Sequence, residues 1–147
     1  MAGELVAVGQ STMQVACVYV GRMLCGFDIQ HVQEIKKYSE VTSVPLSSPD
    51  IRGIMNLRGQ IVTLVDMSVK LAIPTQTNHQ RQIVIVNWEG EYIGFLVDNI
   101  SDVLTVQQRH ILPPPSNIKG AQGKFFQGIY HFKKELLGII DIDAVLS

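Results

Sequence analysis

Apolar residues in this chain fall in short blocks, not at helical spacing. Gln14–Val20 and Met23–Ile29 are rich in β-branched and aliphatic residues and flank Gly21-Arg22, which predicts a β-hairpin. Ile83–Trp88 and Glu91–Val97 bracket Glu89-Gly90 in the same way. Further runs occur at Val41–Val44, Ile51–Leu57, Gln60–Val65, Ile100–Val106, Phe125–Phe132 and Glu135–Ile140. Many are apolar at nearly every position, a pattern of strands buried on both faces or rolled into small barrels. Helix is scarce: a turn or two after Asp66, and another after Asp141 or Asp143, where an aspartate can cap exposed N–H groups. The pattern predicts an all-β protein with one or two short helices.

The chain also repeats itself. At a shift of 68, Gln14 meets Gln82, Val18 meets Val86, Gly26 meets Gly94, Phe27 meets Phe95, Val32 meets Ile100, Glu34 meets Asp102, Ile35 meets Val103 and Pro45 meets Pro113. The two hairpin turns coincide at the same shift. An insertion of seven residues in the loop Ser116–Lys124 changes the shift to 75, which aligns Gly53 with Gly128, Ile54 with Ile129, Asp66 with Asp141 and Leu71 with Leu146. Two copies of a small β unit follow, one over 14–73 and one over 82–147, joined through the polar stretch Pro74–Gln82. A unit of about 70 residues is marginal alone, so the two are expected to pack together around a seam where a partner can dock.

Composition narrows the function. The 147 residues are 46% hydrophobic and 17% charged with a formal net charge of −1, which suits one packed globule and gives no general field for polyanions. The N-terminus lacks the basic and apolar regions of a signal peptide, and no run approaches the length of a membrane helix. Cys17 and Cys25 lie in apolar runs without CxxC spacing and read as buried thiols in a reducing compartment. His31, His79, His110 and His131 are scattered without zinc spacing, and phosphate-cradle and nucleophile-elbow motifs are absent. Asp66, Asp98 and Asp141 each follow an apolar strand; helix caps and turn acceptors explain them better than a carboxylate cluster. No catalytic residue, metal ligand or cofactor is assigned. A nucleic-acid-binding barrel would want exposed aromatics among basic residues, and Lys36-Lys37, Lys119, Lys124-Phe125-Phe126 and Lys133-Lys134 are short runs better read as solvated turns.

One segment stands out, Gly53-Ile54-Met55-Asn56-Leu57-Arg58-Gly59 followed by Ile61 to Asp66-Met67. Asn56 and Gly59 suit a tight turn, with Gly59 free to take positive φ, and Arg58 would project from the end of the barrel. The segment resembles the signature of the chemotaxis coupling protein family, CheW: glycine, apolar residues, Asn-Leu-Arg-Gly, then an apolar strand closing in Asp-Leu. Val32-Gln33-Glu34-Ile35, Gly94-Phe95-Leu96-Val97-Asp98 with Ser101-Asp102-Val103-Leu104, Ile111-Leu112-Pro113-Pro114-Pro115 and Ile139-Ile140-Asp141-Ile142 resemble further family motifs in the same order. The likeness runs from Gln14 to Leu146. Thr63 stands where the family strand usually carries proline, and the last hairpin turns on Lys133-Lys134 where a glycine is common.

The resemblance implies two SH3-like, five-stranded β-barrels packed together, and a scaffold that is not an enzyme. Its partners would be the cytoplasmic tip of a chemoreceptor and the regulatory domain of the chemotaxis histidine kinase, with no nucleic acid and no membrane insertion. It would be cytoplasmic and held at membrane receptor arrays through those partners. Carried over by motif, the receptor-binding residues are Val32, Glu34, Ile35, Asn56, Leu57, Arg58, Val97 and Val103, with Gly53 and Gly59 as turn residues and Glu34 paired to Arg58. The rivals are a nucleic-acid-binding small barrel and a CheW-like regulatory domain of a kinase or receiver-fused protein. With Met1 a dozen residues before the first strand, a stand-alone protein is expected.

Overall fold

A computed structural model describes residues 11–38, 48–75 and 81–147. The two hairpins form where the turns predict them, β1 (Thr12–Val20) with β2 (Met23–Asp28) and β6 (Gln82–Trp88) with β7 (Glu91–Val97). The chain continues after β2 through a 3₁₀ turn, Ile29–His31, into β3 (Val32–Lys37), then β4 (Ile51–Leu57), β5 (Gln60–Asp66) and a one-turn helix α1 (Met67–Lys70). After β7 come β8 (Asn99–Gln107), a small hairpin β9 (Asn117–Ile118) and β10 (Ala121–Gln122), β11 (Phe126–Phe132), β12 (Glu135–Ile140) and α2 (Ile142–Leu146). The expected strand at Val41–Val44 lies outside the described residues.

The five-stranded sheets do not coincide with the sequence repeats. One has the order β11-β12-β2-β1-β8 and the other β3-β6-β7-β5-β4. Each repeat therefore lends its first hairpin to the other repeat's last three strands. Units 14–73 and 82–147 as separate barrels are corrected to a reciprocal exchange: the second sheet is the continuous stretch from β3 to β7, set between the two pieces of the first. The two orders are mirror-equivalent, and in both the borrowed hairpin meets its host through a parallel pair, β2 with β12 and β7 with β5. At those junctions sit the repeat mates Gly26 and Gly94, where a Cβ would lie 2.2 Å from Val15 Cγ1 and 2.4 Å from Leu64 Cδ2.

Hairpin exchange follows from strands with two apolar faces. Along β6, Ile83 and Ile85 point into one barrel, with Leu57, Val62, Leu64 and Leu96. Val84 and Val86 point the other way, into a core that also takes Cys25, Phe27, Phe95, Val97 and Phe126 from both sheets. Val15, Cys17, Leu24, Val106, Leu137 and Ile139 fill the first barrel. Phe27 and Phe95, equivalent in sequence, meet each other in the seam with ring centroids 5.1 Å apart. The hairpin β9–β10, inside the seven-residue insertion, also joins this core through Ile118 and Ala121.

Both sheets curl shut, giving two SH3-like subdomains. In the first, Leu112 beyond β8 exchanges backbone bonds of 2.8 Å with Ile129 of β11 at the opposite edge. In the second, edges β3 and β4 are joined by side chains: Arg58 binds Glu34, and Arg52 Nε donates to the Tyr38 hydroxyl at 3.4 Å.

The aspartates at the strand ends cap and tie. Asp66 accepts the Ser68 N–H at 3.1 Å and Asp141 the Ala144 N–H at 3.1 Å, each starting its short helix. Asp98 is fully buried at the β7–β8 crossover, where it accepts the Gly21 N–H and the Thr75 hydroxyl, both at 2.7 Å. Arg81 connects Asp66 and Asp98. Its two terminal nitrogens donate to the Asp66 carboxylate at 3.2 and 2.9 Å, and its Nε lies 3.2 Å from Asp98 Oδ1. Burial pushes the Asp66 carboxyl up, but the bonds from Arg81 and Ser68 outweigh it and hold the group below its ordinary value.

Arg81→Met should leave two buried carboxylates without their guanidinium and cost about 3–5 kcal/mol, read as a lower urea midpoint. Because the folded-state pKa of Asp66 is depressed, its contribution is present above about pH 4 and lost as pH falls through the folded value. The gap between wild type and variant should therefore narrow in acid; a gap independent of pH would show that Arg81 acts through packing alone.

Candidate functional site

Asn56-Leu57-Arg58-Gly59 forms a two-residue hairpin turn between β4 and β5, with Arg58 at φ 50° and Gly59 at φ 86°. The Asn56 carboxamide oxygen accepts the Gly59 N–H at 2.9 Å and holds the turn closed. The same device appears twice more: Asn87 with Gly90 at 3.2 Å, and Asn117 with Gly120 at 3.0 Å, with Glu89 and Lys119 in the left-handed region. The asparagine and glycine are therefore turn chemistry that the fold uses repeatedly. What separates the first turn is its arginine.

Arg58 reaches from the turn to Glu34 on β3. Most of the Arg58 side chain is in solvent, whereas Glu34 is partly covered. The guanidinium holds the Glu34 carboxyl below its ordinary value, and Glu34 in return raises Arg58. The pair turns the guanidinium toward β3 and leaves much of it free for a further acceptor.

β3 is an unusual edge strand: Glu34 and Lys36 are half-buried while Ile35 is 41% exposed. Its repeat mate Val103, on edge strand β8 of the other sheet, is 53% exposed. Two equivalent edges thus present a β-branched residue to solvent. Val32 is partly buried, packed on the seam core.

Two assignments need correction. Leu57 is buried in the second barrel and Val97 lies fully inside the seam core, because their alternation points them inward. Neither side chain is exposed. Gly53 belongs to a register shift between β4 and β5, and Gly59 to the turn. Ile61, opposite Asn56 in register, is 62% exposed, which its position within a continuous apolar run conceals in the sequence.

The other candidate chemistries find little support. Burial, with Asp102 nearby, pushes the Cys17 thiol up to about 11, and burial raises Cys25 further. Among the described residues no group of three or more His, Cys, Asp and Glu side chains could hold a metal, and no helix is long and apolar enough to cross a membrane. Lys124 lies over its neighbour Phe125 and Lys133 over Phe132, each 5.2 Å from the ring centroid, so those cations cover the protein's own rings.

The fold is a pair of interlocked SH3-like barrels, and the residues carried over by motif that are exposed lie on its turns and edges. Comparison with known proteins gives the family: a profile of the CheW-like domain matches residues 14–147, and the chain belongs to the CheW-like domain family. It is similar to the chemotaxis protein CheW of Klebsiella aerogenes, 33% identical over the whole of this chain and 86% of the relative. CheW of Bacillus subtilis is 30% identical over 81% of this chain and 77% of its own. Among solved structures, the scaffolding protein TtCheW from Thermoanaerobacter tengcongensis superimposes with a TM-score of 0.85 at 26% identity, over 92% of this chain and 88% of that one. The chain is accordingly a chemotaxis adaptor of the CheW type, and neither a nucleic-acid-binding barrel nor a separate regulatory domain accounts for it as well.

Asn56→Ala should destabilise the fold by about 1 kcal/mol through the lost turn bond. Arg58→Ala should leave the urea midpoint nearly unchanged, since its pair is at the surface. Equal losses in both variants would mean that the ion pair, like the turn, is structural.

Proposed function

We propose that this protein holds bacterial chemoreceptor tips and the chemotaxis histidine kinase in fixed relative geometry, without bond-making chemistry of its own. The observation that carries the reading is the family match over residues 14–147, together with relatives that are chemotaxis and scaffolding proteins. In this reading the receptor's helical tip lies against Val32, Glu34, Ile35, Asn56, Arg58 and Val103, with Leu57 and Val97 beneath. Ile35 and Val103 supply apolar contact, and Arg58, oriented by Glu34, supplies a directional donor to an acceptor on the receptor helix. The kinase's regulatory domain binds elsewhere on the surface, so that both partners are held at once. The protein would then reside at membrane receptor arrays through those partners.

Signal passes through such a scaffold as a shift in population. A receptor movement that changes the contact geometry by a small free energy changes the fraction of active kinase it can hold, and many weak contacts across an array raise effective concentration. A stiff seam and edges closed by side chains suit that task, because a soft adaptor would absorb the displacement.

The test is ternary assembly of the protein with a soluble receptor-tip fragment and the kinase's regulatory domain, measured by calorimetry and co-elution. Arg58→Glu should weaken receptor binding at least tenfold, about 1.4 kcal/mol or more, while kinase binding and the urea midpoint stay as in wild type. Adding Glu34→Arg should partly restore it. Normal receptor binding by both single variants would remove the pair from the interface, and failure of the wild type to bind either cognate partner would end the scaffold reading.

A further inference from the structure

The repeat sets two aspartates in equivalent places but gives them different company. Asp66 and Asp141 align at the shift of 75; each closes a strand and caps the short helix that follows. Around Asp66 the chain supplies two guanidinium groups. Arg81 donates to both of its oxygens, and to the Ser68 hydroxyl at 3.4 Å, while Arg52 Nη1 lies 3.7 Å from Asp66 Oδ2. Asp141 has neither. The counterpart of Arg81 at the shift of 68 is Met13, which packs on the core of the first barrel, and the counterpart of Arg52 at the shift of 75 is Gln127.

The loss of cations goes with a gain of carboxylates. Ser68, which accepts from Arg81, is matched by Asp143, and Leu96, paired in register with Asp66, is matched by Asp28. Asp28, Asp141 and Asp143 line one cavity of about 220 Å³ together with Gln127, Trp88 and His31. The described residues include all twelve lysines and arginines of the chain, and among them none forms an ion pair with any of these three aspartates.

Each carboxylate is held through one oxygen. The Gln30 N–H donates to Asp28 Oδ1 at 3.0 Å, the Ala144 N–H to Asp141 Oδ1 at 3.1 Å and the Trp88 indole N–H to Asp143 Oδ1 at 2.8 Å. Among the described residues no donor meets the second oxygen of any of the three. Trp88 and His31 stand edge to face, ring centroids 4.8 Å apart, and give the cavity an aromatic wall. Oriented carboxylates beside an aromatic wall suit a planar cation with several N–H donors better than a compact ammonium.

We propose that this cavity binds the guanidinium of an arginine side chain presented by a partner protein, in the role that Arg81 fills at Asp66 from within the chain. A side chain is the occupant the repeat implies, because at Asp66 the guanidinium is delivered by polypeptide. None of the residues assigned to the receptor surface lines the cavity, so the two can be tested separately.

Trp88 is the chain's single tryptophan, so its fluorescence reports occupancy directly. The intact protein is titrated at constant ionic strength with acetyl-Gly-Arg-Gly-amide, with the same peptide carrying the uncharged isostere citrulline, and with agmatine. The expected result is a saturable change in Trp88 emission with the arginine peptide and none with citrulline. Binding should be roughly fivefold weaker in Asp28→Asn/Asp141→Asn, as the loss of two exposed ion pairs would give. Asparagine can keep both caps, so the urea midpoint of that variant should stay close to wild type. Gln127→Arg, at an exposed position, returns to this half the cation that Arg52 gives the other, and should weaken the peptide by roughly fivefold or more. No saturable change, an equal response to the citrulline peptide, or wild-type affinity in either variant overturns the proposal. Agmatine binding more tightly than the peptide would make this a small-molecule site and overturn the choice of a protein partner. No arm uses receptor or kinase, so failure here leaves the scaffold reading intact.

Discussion

The structure depends on one constraint: the hairpins β1–β2 and β6–β7 are apolar on both faces. A sheet with one wet face could not accommodate them. Each must bury one face inside a barrel and the other against something equally apolar, and the surface available is the twin hairpin, with Phe27 against Phe95 at its centre. Exchanging hairpins between the repeats satisfies both faces at once. It also makes each barrel incomplete without the other half of the chain, which is why two units of marginal size behave as one body.

Arg81 fixes the angle at which the halves meet. Its guanidinium joins the capping aspartate of α1 to the aspartate at the β7–β8 crossover, and the latter also holds the β1–β2 turn of the other sheet. A hydrophobic seam is tolerant of sliding, whereas a buried, bidentate ion pair has one good geometry. Under the proposed function, that distinction matters more than the net stability of the pair, which desolvation largely offsets.

The two ends of the seam then take on different characters. At α1 the following residues pack against it, and Asp98 anchors them through the Thr75 hydroxyl. Beside α2, Trp88 lies among the carboxylates of Glu89, Glu91 and Asp143. The near-symmetry is broken at the surface by the arginine in one of three similar turns, and kept at the two edges that expose Ile35 and Val103.

Most of the strands were legible in the sequence, because continuous β-branched runs between turn residues admit few alternatives, and the repeat was legible as matched glycines, phenylalanines and turns. β3 was not read as a strand, since Glu34 and Lys36 face partly inward and Ile35 outward, which defeats an alternation argument. The turn at Asn56–Gly59 and the pairing of Arg58 with Glu34 were anticipated, the first from turn chemistry and the second from the family motif. Sequence alone thus determined most of the strands, the duplication and the family resemblance, all of which rest on local pattern and motif order. Tertiary structure decided which repeat each hairpin completes, that Leu57 and Val97 lie inside, and that Arg81 binds two distant aspartates. Each of those depends on contacts between residues far apart in the chain, where a one-residue change of facing moves a side chain from core to solvent.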